Sequence, residues 1–300
     1  MASQPLTPGD HFFTAGGITF HYRVGGTSGP LFIAHSVGWG MPGSYLWNGM
    51  GPHLEQHYRV VYFEPRGTGQ SSRPADEEGS MASRVMAEDI EHLRTHLGLD
   101  ALPVLLGHSN GACIVLRYAE QHPDRVEKLI LVGAEIQDAP PETNDFAAWA
   151  EKRKDDPVYA GAVAAFTDLG PNPPTTDEEF AAFMGRIMPW YFSDVAHVAT
   201  LAKQQADGDA LPSVWAMQRN GPSDRKAENR NPHLGDAGKV KAKTLLLWGE
   251  EDAICSIKWG RLAAEAIPGS KLVAFEKCGH FPWYEKRDDF FREVDAFVKG

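Results

Sequence analysis

Pro103-Val-Leu-Leu-Gly-His-Ser-Asn-Gly-Ala112 decides the fold. Pro103 to Leu106 is a short apolar run and reads as a buried strand. Gly107-His108-Ser109-Asn110-Gly111 follows and matches G-x-S-x-G. Asn110 to Gln121 then reads as a helix that stops before His122-Pro123. A serine hydroxyl is a weak nucleophile and must project toward a neighbouring base. A sharp strand-to-helix turn projects it and strains its backbone. Glycines two residues to either side remove side chains that would collide. The pentapeptide alone arises by chance roughly 0.15 times in such a chain, so the flanking strand and helix carry the assignment. A glycine-rich turn whose serine only caps the helix is the competing reading.

The same alternation extends outward. His11 to Val24 reads as two strands joined at Gly16-Gly17. Leu31 to His35, Tyr58 to Phe63 and Val126 to Val132 read as buried strands, and Met81 to Leu97 has helical spacing of Val85, Ile90, Leu93 and Leu97. Strand signals return at Thr244–Trp248 and Lys271–Phe275, and Asp288 to Val298 reads as a last helix. Alternating strands and helices predict a parallel sheet wrapped by helices, an α/β fold. Gln137 to Pro232 breaks the pattern: it is punctuated by Pro140-Pro141 and Gly170–Pro174 and shows helical pieces but no clear strand. Residues 1–136 and 233–300 are therefore read as one core, and 137–232 as a helical insertion.

A serine nucleophile on such a sheet takes an acid from a late strand end and a histidine from the last one. Gly249-Glu-Glu-Asp252 follows Thr244–Trp248, and Cys278-Gly-His280-Phe-Pro282 follows Lys271–Phe275. A histidine titrates near pH 6.5 and can take and return the serine proton. The acid holds its tautomer and stabilises imidazolium. Ser109, Asp252 and His280 are thus the predicted catalytic residues, with Glu250, Glu251 and Glu135 as alternative acids. His108 is read as structural, its side chain directed elsewhere. His11, His53, His57, His92, His96 and His122 lie in no motif. Developing oxyanion charge needs preorganised amides. Asn110, at a helix N-terminus, supplies one, and His35-Ser36-Val37-Gly38 supplies the other, from Val37 first and Ser36 second. Gly38-Trp-Gly40-Met-Pro-Gly43, with Glu64 beyond, also outlines a dinucleotide fingerprint, but Pro42 interrupts it.

Composition narrows the partners. A net charge of −11 disfavours nucleic acid, which calls for clustered Lys and Arg. No apolar run reaches membrane-spanning length. Met1-Ala-Ser-Gln-Pro5 has neither a basic nor an apolar region, so no secretory leader is expected. The three cysteines, Cys113, Cys255 and Cys278, form no CxxC pair and fit a reducing, cytoplasmic setting, with Cys278 read as a packing residue. No HExxH or histidine cluster is seen, and no metal or organic cofactor is expected.

His35-Ser-Val-Gly, Arg66-Gly-Thr-Gly-Gln-Ser71, the Gly107–Gly111 turn, Tyr118–Arg125, Gly249–Asp252 and Gly279-His280, in that order, resemble the α/β-hydrolase superfamily across nearly the whole chain. The resemblance implies an eight-stranded, mostly parallel sheet flanked by helices, with a helical cap where residues 137–232 stand. Within the superfamily the chain is similar to the capped branch of prolyl aminopeptidase-like enzymes, esterases and carbon–carbon bond hydrolases. It departs from the peptidase pattern, carrying His35-Ser-Val-Gly-Trp39 for HGGPG and Gly107-His-Ser-Asn-Gly111 for GGSWG. Haloalkane dehalogenases and epoxide hydrolases carry Asp where Ser109 stands.

The expected activity is hydrolysis of a carboxylic ester or related acyl compound through an acyl-serine. C–C bond, amide or prolyl-peptide cleavage on the same triad is the alternative, and a hydrolase-fold ligand receptor is the rival from another class. Trp39, Phe281, Trp190, Tyr191 and Trp215 are the candidate lining of an apolar pocket for a small acyl or aromatic molecule, joined by Phe192 and Met217. Asp194 or Glu135 is placed to meet a charged substrate group. A monomer or homodimer is expected.

Overall fold

The computed structural model describes residues 5–75, 79–206 and 210–300. The leader expectation rests largely on residues 1–4, outside the described residues. Eight strands form one sheet: β1 Gly9–Ala15, β2 Ile18–Gly25, β3 Leu31–His35, β4 Arg59–Phe63, β5 Leu102–His108, β6 Val126–Val132, β7 Lys243–Gly249 and β8 Lys271–Phe275. Their order is β1-β2-β4-β3-β5-β6-β7-β8. β2 pairs antiparallel with β1 and β4, and every other pairing is parallel. The chain leaves β3 toward β4 on one side and returns to β5 on the other. Ligands of open α/β sheets bind outside the strand ends at such a reversal. His35 stands beside Gly107 there, so the two loops expected to carry the chemistry emerge together.

Apolar layers cover both faces of the sheet. Val104, Leu106, Ile130, Val132, Leu245 and Leu247 point to one layer, and Leu105, Leu129, Leu131 and Leu246 to the other. That two-sided burial explains why these strands read as continuous apolar runs. The helices before the insertion are α1 Ser44–Gly49, α2 Gly51–His57, α3 Ser83–His96 and α4 Asn110–Gln121. α3 buries Met86, Ala87, Ile90 and Leu93, one face at helical spacing.

Between β6 and β7 lie α5 Phe146–Lys152, α6 Pro157–Leu169, α7 Asp177–Ile187, α8 Val198–Ala206, α9 Val214–Arg225 and α10 His233–Asp236, with short 3₁₀ turns. No strand occurs there among the described residues. The remaining helices are α11 Ile257–Ala266, α12 Pro282–Glu285 and α13 Arg287–Lys299. Among the described residues no helix is long and apolar enough to cross a membrane.

Candidate active site

Ser109 follows β5 and stands at the N-cap of α4 with φ 57° and ψ −124°, a backbone conformation rare outside glycine. The flanking glycines allow the bend by close approach. A Cβ on Gly107 would lie 2.5 Å from the Gly111 carbonyl oxygen, and one on Gly111 would lie 2.8 Å from those of His35 and Ser36. The Ser109 carbonyl accepts the Glu135 amide at 3.2 Å, tying the turn to the end of β6.

Asp252 and His280 meet beside it. Asp252 Oδ2 is 2.7 Å from His280 Nδ1, and Oδ1 accepts the Ile254 and Cys255 amides at 2.9 Å each. Both side chains are buried. The acid and histidine loops touch so closely that a Cβ on Gly249 would lie 2.1 Å from the Gly279 carbonyl oxygen. Of the other acids considered, Glu250 is exposed, and Glu251 accepts from Ser193 Oγ at 2.7 Å and pairs with Arg153. His280 Nε2 is buried without a partner. Burial, then Asp252, pushes the neighbouring Cys255 thiol far above the usual thiol range.

His108 was expected to point away. Its ring instead lies 4.5 Å from that of His280, and its Nε2 donates to the His280 carbonyl at 3.0 Å. Burial, then the His280 ring, holds it well below the usual histidine range, so it is a neutral buttress.

The amides near Ser109 sort themselves. Ser36 N donates to the Phe63 carbonyl at 3.1 Å, which corrects its expected place in the oxyanion hole, and Gly38 N donates to Asn110 Oδ1 at 2.9 Å. Val37 lines the Ser109 cleft. Asn110 opens α4. The sequence offered no sign of what its side chain does: Nδ2 donates to Ser83 Oγ at 2.9 Å and to Glu135 Oε2 at 3.0 Å. The dinucleotide outline dissolves here. Glu64 accepts from the Gly43 and Gln70 amides at 2.7 and 2.9 Å and contacts His21 Nδ1 at 2.7 Å. It anchors two loops and is buried.

Two spaces open on the site. A cleft of about 20 Å³ is lined by Val37, Tyr45, His108, Ser109, His280 and Phe281, among others. Beyond it lies a cavity of about 880 Å³, and Trp39, Met184 and Tyr191 line both. The larger space is lined by the apolar Phe166, Phe180 and Phe183 and by the polar Glu135, Gln137, Asn220 and Asp224, among others. Asp224 accepts from Ser83 Oγ at 2.6 Å, and burial, then Glu135, raises its pKa to about 6.

Of the expected pocket residues, Trp39, Tyr191, Phe281 and Met217 line these spaces. Trp190 does not: it is wholly buried against Phe146 and Tyr159, beneath Arg153. Trp215 packs over Gly67 between Arg73 and Arg219, and Phe192 is buried against Phe281. Asp194 caps a 3₁₀ turn through Ala196 N, so of these two acids it is Glu135 that lines the larger cavity. Cys278 is buried, as a packing residue should be.

Residues 30–287 match the family model of the alpha/beta hydrolase fold. The chain belongs to the α/β-hydrolase family. It is 24% identical over 283 residues to the 2-hydroxy-6-oxo-6-phenylhexa-2,4-dienoate hydrolase of Comamonas testosteroni, covering 93% of this chain and 91% of that one. The solved enzyme of the same name from Rhodococcus sp. strain RHA1 superposes with a TM-score of 0.72 at 20% identity, covering 97% and 98% of the two chains. An esterase from Exiguobacterium antarcticum superposes at 0.69 with 22% identity, covering 98% of this chain and all (100%) of the other.

Proposed function

We propose that this α/β-hydrolase cleaves a carboxylic ester or related acyl compound through an acyl-serine on Ser109. One observation carries the reading: the buried Asp252–His280 pair at 2.7 Å leaves His280 Nε2 unpaired next to a strained serine. Asp252 fixes the tautomer with the proton on Nδ1 and stabilises imidazolium as it forms. The Ser109 hydroxyl gives its proton to His280 Nε2 and attacks the carbonyl carbon. The carbonyl oxygen becomes an oxyanion between the Val37 and Asn110 amides. His280 then protonates the leaving group. Water, deprotonated by the same nitrogen, releases the acid and restores Ser109.

The two spaces suggest how a small-molecule substrate lies. The cleft at Ser109 holds about one water molecule, so an acyl group enters only as Met184, Met188 or Tyr191 shifts. Methionines adapt to such demands. The leaving group then faces the larger cavity. In this reading residues 137–232 act as the cap, supplying Phe166, Phe180, Met184, Tyr191 and Met217 to its wall.

A second reading, hydrolysis of a carbon–carbon bond next to a carbonyl, draws on the dienoate hydrolase relative. Turnover of activated esters, prolyl amides and vinylogous diketones by wild type and Ser109→Ala tests both. Repeated ester turnover, lost in the variant, supports the ester reading. Preference for the diketones moves the assignment to the second. Equal turnover in the variant overturns nucleophilic catalysis by Ser109.

A further inference from the structure

His53 and His57 stand one turn apart on α2, and Asp295 stands opposite on α13. One donor atom from each of the three lies within 4.8 Å of the others. His53 Nε2 is 3.4 Å from Asp295 Oδ2, close to the edge of about 3.3 Å between ligands in a tetrahedral zinc shell. We propose that His53, His57 and Asp295 form a binding site for an imidazole-favouring divalent transition metal, zinc(II) in the first place.

The surroundings suit that role. The His53 ring stacks on Phe291 with centroids 4.1 Å apart and planes at 16°, which fixes its direction. Tyr58 donates to Asp295 Oδ1 at 2.7 Å, leaving Oδ2 turned toward the histidines. Such outer hydrogen bonds orient metal ligands. The His57 ring, 5.0 Å from that of His53, is on an exposed residue and is free to swing inward. Lys299 Nζ sits 3.4 Å from Asp295 Oδ2, in an exposed pairing of the kind worth little. A cation on the two imidazoles and Oδ2 displaces it readily. Two imidazoles and one carboxylate select zinc, copper or nickel over magnesium or calcium, which want mostly oxygen. Three protein ligands leave a fourth position to water. The ion joins α2 to α13. The site is separate from Ser109 and does not depend on the reaction proposed there.

The test is zinc titration of metal-stripped protein by calorimetry, with thermal unfolding in parallel. Wild type is expected to bind one equivalent with micromolar affinity and to unfold at higher temperature with zinc, but not with magnesium. His57→Ala and Asp295→Asn should each weaken binding by about tenfold or more and remove the thermal shift. His57 is exposed, so its variant is expected to fold. Binding by His57→Ala equal to wild type, or no saturable binding by wild type, overturns the proposal.

Discussion

Glu285 holds the backbone of Gly279, accepting its amide at 2.6 Å, one residue before His280. Its other oxygen accepts the Ser193 and Asp194 amides at 2.8 and 2.9 Å, and the His280 amide donates to the Tyr191 carbonyl at 2.7 Å. One carboxylate thus joins the histidine loop to the helical segment that walls the cavity. Gly279 has no room to yield, since a Cβ there would lie 2.4 Å from the Tyr191 carbonyl oxygen.

Glu285→Gln offers one acceptor where two served, and turns an NH₂ toward an amide N–H. Glu285 is a positioning residue in this account. kcat should fall roughly tenfold or more with little change in KM, because a small misplacement of His280 costs rate rather than binding. Steady-state kinetics checks this, and an unchanged kcat would remove Glu285 from the account.

Met184 lies at the neck between the two spaces. Met184→Ala should shift preference toward longer acyl chains, by about tenfold in kcat/KM per fitting methylene. A series of p-nitrophenyl esters measures it. An unaltered chain-length profile would place the acyl group elsewhere.

Gly40 has φ +107°, and a Cβ there would lie 2.4 Å from the Ser213 carbonyl oxygen. Gly40→Ala should therefore destabilise the protein by more than about 1 kcal/mol, since neither the backbone nor the space accepts a methyl. The urea midpoint reports it, and an unchanged midpoint would contradict the close approach of α9 to this loop.

Asp224 gives the protein a pH dependence. Its folded pKa of about 6 lies above its ordinary 3.8, through burial and then Glu135. The folded state therefore holds this proton more tightly than the unfolded chain. That contribution is full below about pH 4 and is lost as pH rises through about 6. Asp224→Asn removes it. The stability difference, wild type minus variant, should fall as urea midpoints are followed upward through this window. A difference that rises, or stays flat, would contradict the shift.

The parallel core was legible because strands buried on both faces, such as Leu129 to Val132 and Leu245 to Trp248, read as unbroken apolar runs. α1 and α2 were not legible: they are six and seven residues long, and Gly43, Gly49, Gly51 and Pro52 obscure any period. Tyr58 was read into β4 but precedes it, with its hydroxyl on Asp295. Ser109, Asp252 and His280 were legible because each follows a recognisable strand. The parts from the middle of the chain were not. Aromatic character alone did not separate Tyr191, which lines the cavity, from Trp190, which is buried beneath it. The work of His108, Asn110 and Glu285 depends on partners far along the chain. His53 and His57 were read as lying in no motif, because Asp295 joins them only through the fold.

The central claim is that Ser109 is the nucleophile. Its most direct test is intact-mass and peptide mass spectrometry after treatment with a fluorophosphonate, which bonds covalently to an activated serine. One adduct per chain, located on Ser109, formed slowly in Asp252→Asn and absent from Ser109→Ala, is the predicted result. No adduct on folded wild type, or equal labelling of Ser109→Ala, would contradict it.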